Sequence, residues 1–246
     1  MAPLDTAPLL AGRGIHKSFG GLKALDNVDF HVYPGEAVGI VGPNGAGKTT
    51  LFGALAGTIP ATSGHIHLDG HDVTGFGAES RCAMGIARTY QVPRPFLGMT
   101  VFENVLVAAR AGGGQGKSEA VDAAAELLER TGLKQLANQP AGALGLLDRK
   151  RLEVARALAT KPRVVLLDEI GGGLTEAELD ELIELIRGLR AEGMTVVWIE
   201  HILHALMKVI DRLVCMAEGR VLAEGDPKAV MDDPEVRSAY LGSDPE

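Results

Sequence analysis

The chain has 246 residues, 46% of them hydrophobic and 23% charged, which suits one large core-forming domain or two small ones. A net charge of −8 argues against a nucleic-acid binder, because a phosphate backbone demands a basic face. Cys82 and Cys215 lie far apart without metal-ligand spacing and fit small, buried, reduced thiols of a cytosolic protein, and no stretch reaches the ~18–20 continuous apolar residues that span a bilayer.

Met1 to Leu10 has neither a basic start nor a long apolar segment, so neither export nor membrane embedding is expected; work at a membrane would require docking to something else. After this Pro/Ala-rich, loose head, alternating apolar patterns at Gly14 to Phe19 and Val28 to Val32 flank Gly20-Gly21. They predict two antiparallel strands joined by a turn, closed by Pro34-Gly35. The apolar run Ala37 to Val41 predicts a further strand, followed by Gly42-Pro43-Asn44-Gly45-Ala46-Gly47-Lys48-Thr49 and a helix to about Ala56. In such a loop the glycines let backbone N–H groups turn inward around a polyphosphate and the new helix directs its positive end there. Lys48 adds a point charge, and the Thr49 hydroxyl can ligate Mg²⁺. A nucleoside triphosphate is the expected ligand.

Pro60 to Gly64 break into a strand over His65 to Leu68, with Asp69-Gly70 as a turn. His65, His67 and His71 read as a solvated strand face rather than a metal shell, since no Cys or carboxylate set completes one. A short helix is predicted over Ala78 to Ala87, then a strand through Arg88-Thr89-Tyr90-Gln91 that ends in a polar residue, and an irregular loop enforced by Pro93, Pro95 and Gly98. Thr100 and Glu103 form a capping box for a helix to about Arg110, and Gly112 to Gly116 read as a flexible surface loop. Helices are expected over Ser118 to Arg130, on a Val121, Ala124, Leu127, Leu128 stripe with Gly132 as stop, and from about Arg149 to Ala159.

Val164-Val165-Leu166-Leu167-Asp168-Glu169 predicts a buried parallel strand whose functional end is Asp168. Thr175 and Glu178 cap a helix to about Glu192, Gly193 stops it, and Thr195 to Ile199 is another buried strand ending at Glu200-His201. Strands near Arg212 to Met216 and Arg220 to Ala223 and a helix from about Pro227 close the edge. The alternation calls for an α/β sheet with ligands at the strand C-termini. Asp168 can hold Mg²⁺ through water, Glu169 is placed to orient or deprotonate an attacking water, and adjacent strand ends about 4.8 Å apart would bring His201 to the same γ-phosphate.

These residues resemble the nucleotide-binding subunits of ABC transporters over nearly the whole chain. Gly42 to Thr49 match the Walker A motif and Val164 to Glu169 the Walker B motif with its catalytic glutamate. Gln91 matches the Q-loop glutamine, His201 the switch histidine, and Phe19 an adenine-stacking aromatic. Within that family, Arg88 to Gln91, Gly98 to Val105, Arg151 to Ala159, Trp198 to His201 and Ala239 to Gly242 resemble the ATPases of branched-chain amino-acid importers. The resemblance implies a P-loop NTPase of the ABC type, α/β, with an antiparallel β subdomain and a helical subdomain, as a single domain over 1–246 whose helical part is about 90–160.

It further implies that Phe19, Gly42, Pro43, Asn44, Gly45, Ala46, Gly47, Lys48, Thr49 and Thr50 bind ATP, and that Thr49, Gln91 and Asp168 arrange Mg²⁺. Glu169 would be the general base, His201 a γ-phosphate sensor, and Gln91 the coupling point to a membrane subunit. The implied partners are membrane permeases, a second ATP-binding subunit in a head-to-tail dimer and, indirectly, a periplasmic or extracellular solute-binding protein, with the chain peripheral on the cytoplasmic face. A soluble ABC-type ATPase acting by ATP-gated dimerisation is the alternative. Three departures from the family pattern stand out: the signature position reads Leu144-Gly145-Leu146-Leu147-Asp148, Ile170 replaces a proline, and Thr175 replaces Asn or Asp in the loop that crosses the dimer. A weakened signature predicts a heterodimer with one fully equipped site, a homodimer being the alternative.

Overall fold

A computed structural model describes residues 7–241; the expectations for Met1 to Thr6 and for Gly242 lie outside them. The chain opens as an antiparallel pair, β1 (Leu10–Phe19) and β2 (Leu22–Val32), turned at Gly20-Gly21. β3 (Ala37–Val41) then leads through the glycine loop into α1 (Lys48–Ala56). β4 (Ser63–Leu68) and the short β5 (His71–Asp72) complete a four-stranded sheet ordered β2-β1-β4-β5. On its exposed face, His65 Nδ1 lies 3.3 Å from an Asp72 carboxylate oxygen.

α2 (Ala78–Ala83) is shorter than the Ala78 to Ala87 helix expected from sequence. Gly85 at φ +107° turns the chain, and Ile86–Arg88 becomes β6, parallel to β7. α3 (Val101–Val107) carries the expected Thr100–Glu103 capping box and widens into a π-turn over Ala108–Gly112. The Gly112 to Gly116 stretch is not uniformly a surface loop: Gln115 is buried and donates to the Ala159 carbonyl at 2.9 Å. In α4 (Lys117–Arg130) the inward stripe runs through Ala120, Ala124, Leu127 and Leu128, while Val121 faces solvent. Gly132 at φ +74° ends the turn that follows.

α5 (Leu146–Ala159) starts three residues before the expected Arg149, with Gly145 as N-cap. β7 (Val164–Asp168), α6 (Glu176–Ala191) and β8 (Thr195–Ile199) follow as expected. α7 (Leu203–Met207), β9 (Arg212–Ala217), β10 (Arg220–Gly225), α8 (Pro227–Asp232) and α9 (Pro234–Leu241) close the described chain. The second sheet is ordered β10-β9-β3-β8-β7-β6, parallel through β9, β3, β8, β7 and β6, with β10 antiparallel at one edge.

Alternation along these strands divides the core. Val164, Leu166, Val197 and Ile199 join Phe30, Phe52, Leu55 and Ile66 between the two sheets, around α1. Val165, Leu167, Val196 and Trp198 face the opposite layer, where α3 to α6 pack. Because both faces are covered, the parallel strands are apolar throughout, which is why their runs could be read without a period-2 pattern. Arg81, buried, reaches under the end of α1 and donates to Leu55 O (2.9 Å) and to Ala54 O (2.5 Å), the latter shared with the Gly57 N–H that caps the helix.

Candidate active site

β3, β8 and β7 are adjacent and parallel, so the segments that leave their C-terminal ends emerge on one edge of the sheet. After β3, Gly42, Gly45 and Gly47 have φ of +148°, +81° and +98°, conformations that L side chains rarely adopt. A Cβ on Gly42 would lie 2.1 Å from the Met216 carbonyl oxygen, and one on Gly47 would lie 2.5 Å from that of Ala24. The loop therefore packs backbone against backbone. No side chain caps the start of α1 and its first turn holds no acid, so its leading amides are left for an anion.

Lys48 Nζ donates to Gly42 O at 2.6 Å and Pro43 O at 3.0 Å, folded over the loop. Burial lowers its pKa, and the nearby Glu169 and Asp168 act in the opposite direction. Thr49 is exposed in the first turn of α1 and Thr50 half-buried beside it. A cleft of about 350 Å³ runs from Asn44 to Thr50 and is bordered by Glu169 on one side and Phe19 on the other. The Phe19 ring, at the end of β1, is 50% exposed, with Lys17 Nζ 4.8 Å from its centroid.

Asp168 ends β7. One carboxylate oxygen, Oδ2, accepts from Arg88 Nη2 at 2.7 Å, and the backbone N–H donates to the Thr89 hydroxyl at 3.2 Å. The other, Oδ1, is buried and has no hydrogen-bond partner. An ionised oxygen in that position is costly unless something satisfies it, and a hard divalent cation does so. The donor set of Asp168, Gln91 and the Thr49 hydroxyl, all oxygen, fits Mg²⁺.

Glu169 follows at φ +46°, anchored by its N–H to Ile199 O at 2.8 Å. Its carboxylate accepts from Gln91 Nε2 at 2.6 Å, so the loop after β6 reaches the residue after β7. His201 is exposed beyond β8, with Nδ1 3.3 Å from Glu200 Oε1. Glu200 itself is fully buried and accepts from Gly171 N at 2.8 Å and His201 N at 3.0 Å. Lys150 of α5 is buried close by; desolvation lowers its pKa and Glu200 and Glu169 oppose that.

Every residue expected from sequence thus lies on the loops of this edge or along the adjoining cleft. Arg88, Glu200 and Lys150 are the members that motif reasoning passed over. For Glu200 the available signal was an ionisable residue at the end of an apolar strand, one step before His201; for Arg88 it was a charge ending β6, and Lys150, on α5, carries no such signal.

The altered signature begins α5. Gly145 makes no side-chain cap, Leu144 is buried, and Leu146 is 41% exposed. Leu146 lies over the segment after β7, where a Cβ on Gly173 would be 3.1 Å from its Cδ2. Ile170 is buried in the core, and Thr175 caps α6 in a capping box with Glu178. Beside the Gln91 loop, a groove of about 250 Å³ includes Cys82, Arg88, Tyr90, Arg94, Glu153 and Arg156. Val92, Phe96 and Leu97 stand exposed on the same loop.

Residues 25–171 match the ABC transporter family, and residues 220–246 match the family described as branched-chain amino acid ATP-binding cassette transporter. The chain is 41% identical to the high-affinity branched-chain amino acid transport ATP-binding protein LivG of Escherichia coli, over 96% of this chain and 98% of that one. A solved ATP-binding cassette of an ABC transporter in its ADP conformation superposes with a TM-score of 0.87 at 32% identity, covering 97% of this chain and all of that one. A dimeric bacterial ABC transporter cassette superposes with a TM-score of 0.80 at 25% identity, over 89% and 98% of the two chains.

Proposed function

The chain belongs to the ABC transporter ATP-binding family, and from that premise we propose that it is the ATP-hydrolysing subunit of an importer for branched-chain amino acids or related small hydrophobic or amide solutes. The observation that carries the reading is the meeting of Lys48, Asp168, Gln91 and Glu169 at the ends of adjacent strands beside a phosphate loop. Such a site has what in-line attack of water on a γ-phosphate requires. The likeness to LivG supports the solute class.

In this reading the loop amides and Lys48 hold the β- and γ-phosphates, and Phe19 supports the adenine. Thr49, Gln91 and Asp168 would hold Mg²⁺, which draws negative charge off the transferring phosphoryl group when bound. Glu169 accepts the proton of the attacking water through Oε1, the oxygen that the 2.6 Å hydrogen bond from Gln91 to Oε2 leaves free. His201 contacts the γ-phosphate from the neighbouring strand end. We take 1–246 as one nucleotide-binding domain, its helical part about 90–160.

Among the described residues no helix is long and apolar enough to cross a membrane, so membrane work would come by docking. The groove beside Gln91 with Val92, Phe96 and Leu97 around it suits a short permease helix on the cytoplasmic side. With Gly145 in place of a hydroxyl donor, the composite site built on this chain's α5 lacks one hydrogen bond to a charged group, worth about 1.5–3 kcal/mol. That favours a paralogous second cassette as partner.

The test is the transporter assembled from this chain, its permeases and the second cassette, assayed for ATP-dependent uptake of leucine-type solutes. Glu169→Gln should cut hydrolysis by at least ~10²-fold and trap ATP. Unchanged hydrolysis by that variant would remove Glu169 from the mechanism, and absence of ATP-dependent uptake of any amino acid would defeat the solute class.

A further inference from the structure

Two oxygens of one buried carboxylate are treated differently in this site. Asp168 Oδ2 is held by Arg88 at 2.7 Å, while Oδ1 is buried and unpaired. The Asp χ2 torsion has a broad, shallow profile, so nothing intrinsic fixes which oxygen faces the phosphate loop. A planar donor on one oxygen does fix it.

Arg88 is itself held from several directions. It ends β6, in parallel register with Leu166 of β7. Its Nη1 donates to the Thr58 hydroxyl at 3.2 Å, just past the end of α1. Its guanidinium lies 5.9 Å from the Phe52 ring centroid and 5.4 Å from that of Tyr90, and only 9% of its side chain is exposed. A lysine at 88 would supply charge but not the fork that spans Thr58 and Asp168. A surface ion pair would need no such clamp.

We propose that Arg88 is a positioning residue that fixes the Asp168 carboxylate so that Oδ1 is presented to Mg²⁺. The proposal rests on the reading of Asp168 as a Mg²⁺-holding residue, and it adds a residue that touches neither metal nor nucleotide. The clamp also binds three elements to the site: α1 through Thr58 and Phe52, the Gln91 loop through Tyr90, and β7 through Asp168.

The test measures binding of a fluorescent ADP analogue to the full chain in EDTA and across a Mg²⁺ titration. Arg88→Gln should leave affinity in EDTA within about twofold and raise the Mg²⁺ concentration for half-saturation at least about tenfold, the usual cost of losing a residue that orients a metal ligand. Arg88→Lys should recover part of that shift. Asp168→Asn should show a shift of its own, and adding Arg88→Gln to it should change nothing further, since the arginine then has no carboxylate to orient. Should R88Q fold poorly, R88K keeps the test available: it retains a cation beside Asp168 but not the fork, and should still show a raised Mg²⁺ half-saturation that the intact chain lacks.

A normal Mg²⁺ titration for R88Q and R88K alongside a shifted D168N would overturn the role of Arg88 alone. Equal loss of affinity with and without Mg²⁺ would reduce Arg88 to a structural part. A normal titration for D168N would remove the aspartate reading and this proposal with it.

Discussion

Glu169 occupies the left-handed backbone region at φ +46°, where a side chain other than glycine costs about 1–2 kcal/mol. Its N–H bond to Ile199 and the tether from Gln91 hold it there. Replacing it by Gly relieves the strain and removes the carboxylate at once. Glu169→Gly should therefore lose hydrolysis yet gain about 1 kcal/mol of stability over Glu169→Gln in urea denaturation; a less stable glycine variant would show that no strain is stored there. The two cysteines give a second contrast. Burial pushes the Cys215 thiol up to about 11, with Lys48 pulling the other way, so almost no thiolate exists at pH 8 and the sulfur is out of reach. Cys82 is partly open and lines the groove beside Gln91. A disulfide reagent at pH 8 should modify Cys82 alone in the native chain and both cysteines after denaturation, and assembly with the permeases should shield Cys82. Rapid modification of two thiols in the native chain would contradict the burial of Cys215. At this scale, Asp168, Glu169 and His201 were legible because each is a reactive group at the end of an apolar run. Arg88 and Glu200 also end such runs, but a charge there reads as solvent-facing, and only the folded neighbours reveal that Glu200 is buried and that Arg88 is enclosed by Asp168, Phe52 and Tyr90.

Between elements, Glu200 acts as a staple. Its two oxygens take the N–H of Gly171, after β7, and of His201, after β8, so the two segments share one buried anchor. Gly171 permits it, since a Cβ there would lie 2.6 Å from Glu200 Oε2. Glu200→Ala leaves two backbone donors unpaired and removes the more strongly acting of the two carboxylates that act on Lys150, Glu169 remaining, which should cost about 2–4 kcal/mol of stability. A urea midpoint shift equivalent to less than 1 kcal/mol would mean that water replaces the carboxylate without loss. None of this could be read from spacing, because the partners lie on different strands. Elements themselves were better signalled. The Thr100–Glu103 and Thr175–Glu178 boxes fixed two helix starts because the caps are local in sequence. The errors fell where the deciding contact is distant. The helix expected through Ala87 ends at Ala83 because Ile86 to Arg88 pair with β7. Similarly, α4 turns Ala120 rather than Val121 inward because the small side chain packs against the other helices of that layer.

At the scale of the whole molecule, Leu146 of the altered signature lies against Gly173 of the segment after β7. A Cβ at 173 would lie 3.1 Å from Leu146 Cδ2, close enough that the leucine tip would have to shift, and residue 173 is glycine at φ +79°. The glycine run 171–173 therefore accommodates both the Glu200 staple and the leucine at the start of α5. In the proposed head-to-tail pair, the cost of the altered signature would fall on the partner's nucleotide, which would meet a helix N-terminus at Gly145 that offers backbone amides but no hydroxyl. Gly and Ser are both good N-caps and differ by only a few tenths of a kcal/mol in favour of Ser, so Gly145→Ser should not disturb the fold. If the missing hydroxyl limits that composite site, Gly145→Ser should raise ATP turnover of the assembled pair by about tenfold or more when the second cassette's own phosphate loop is intact, in line with about 1.5–3 kcal/mol for a hydrogen bond to a charged group. The gain should vanish when the lysine of the partner's phosphate loop is removed, because only that nucleotide faces Gly145. Turnover by this chain alone at the rate of the mixed pair would show instead that the backbone amides suffice, and would make a homodimer the working assembly.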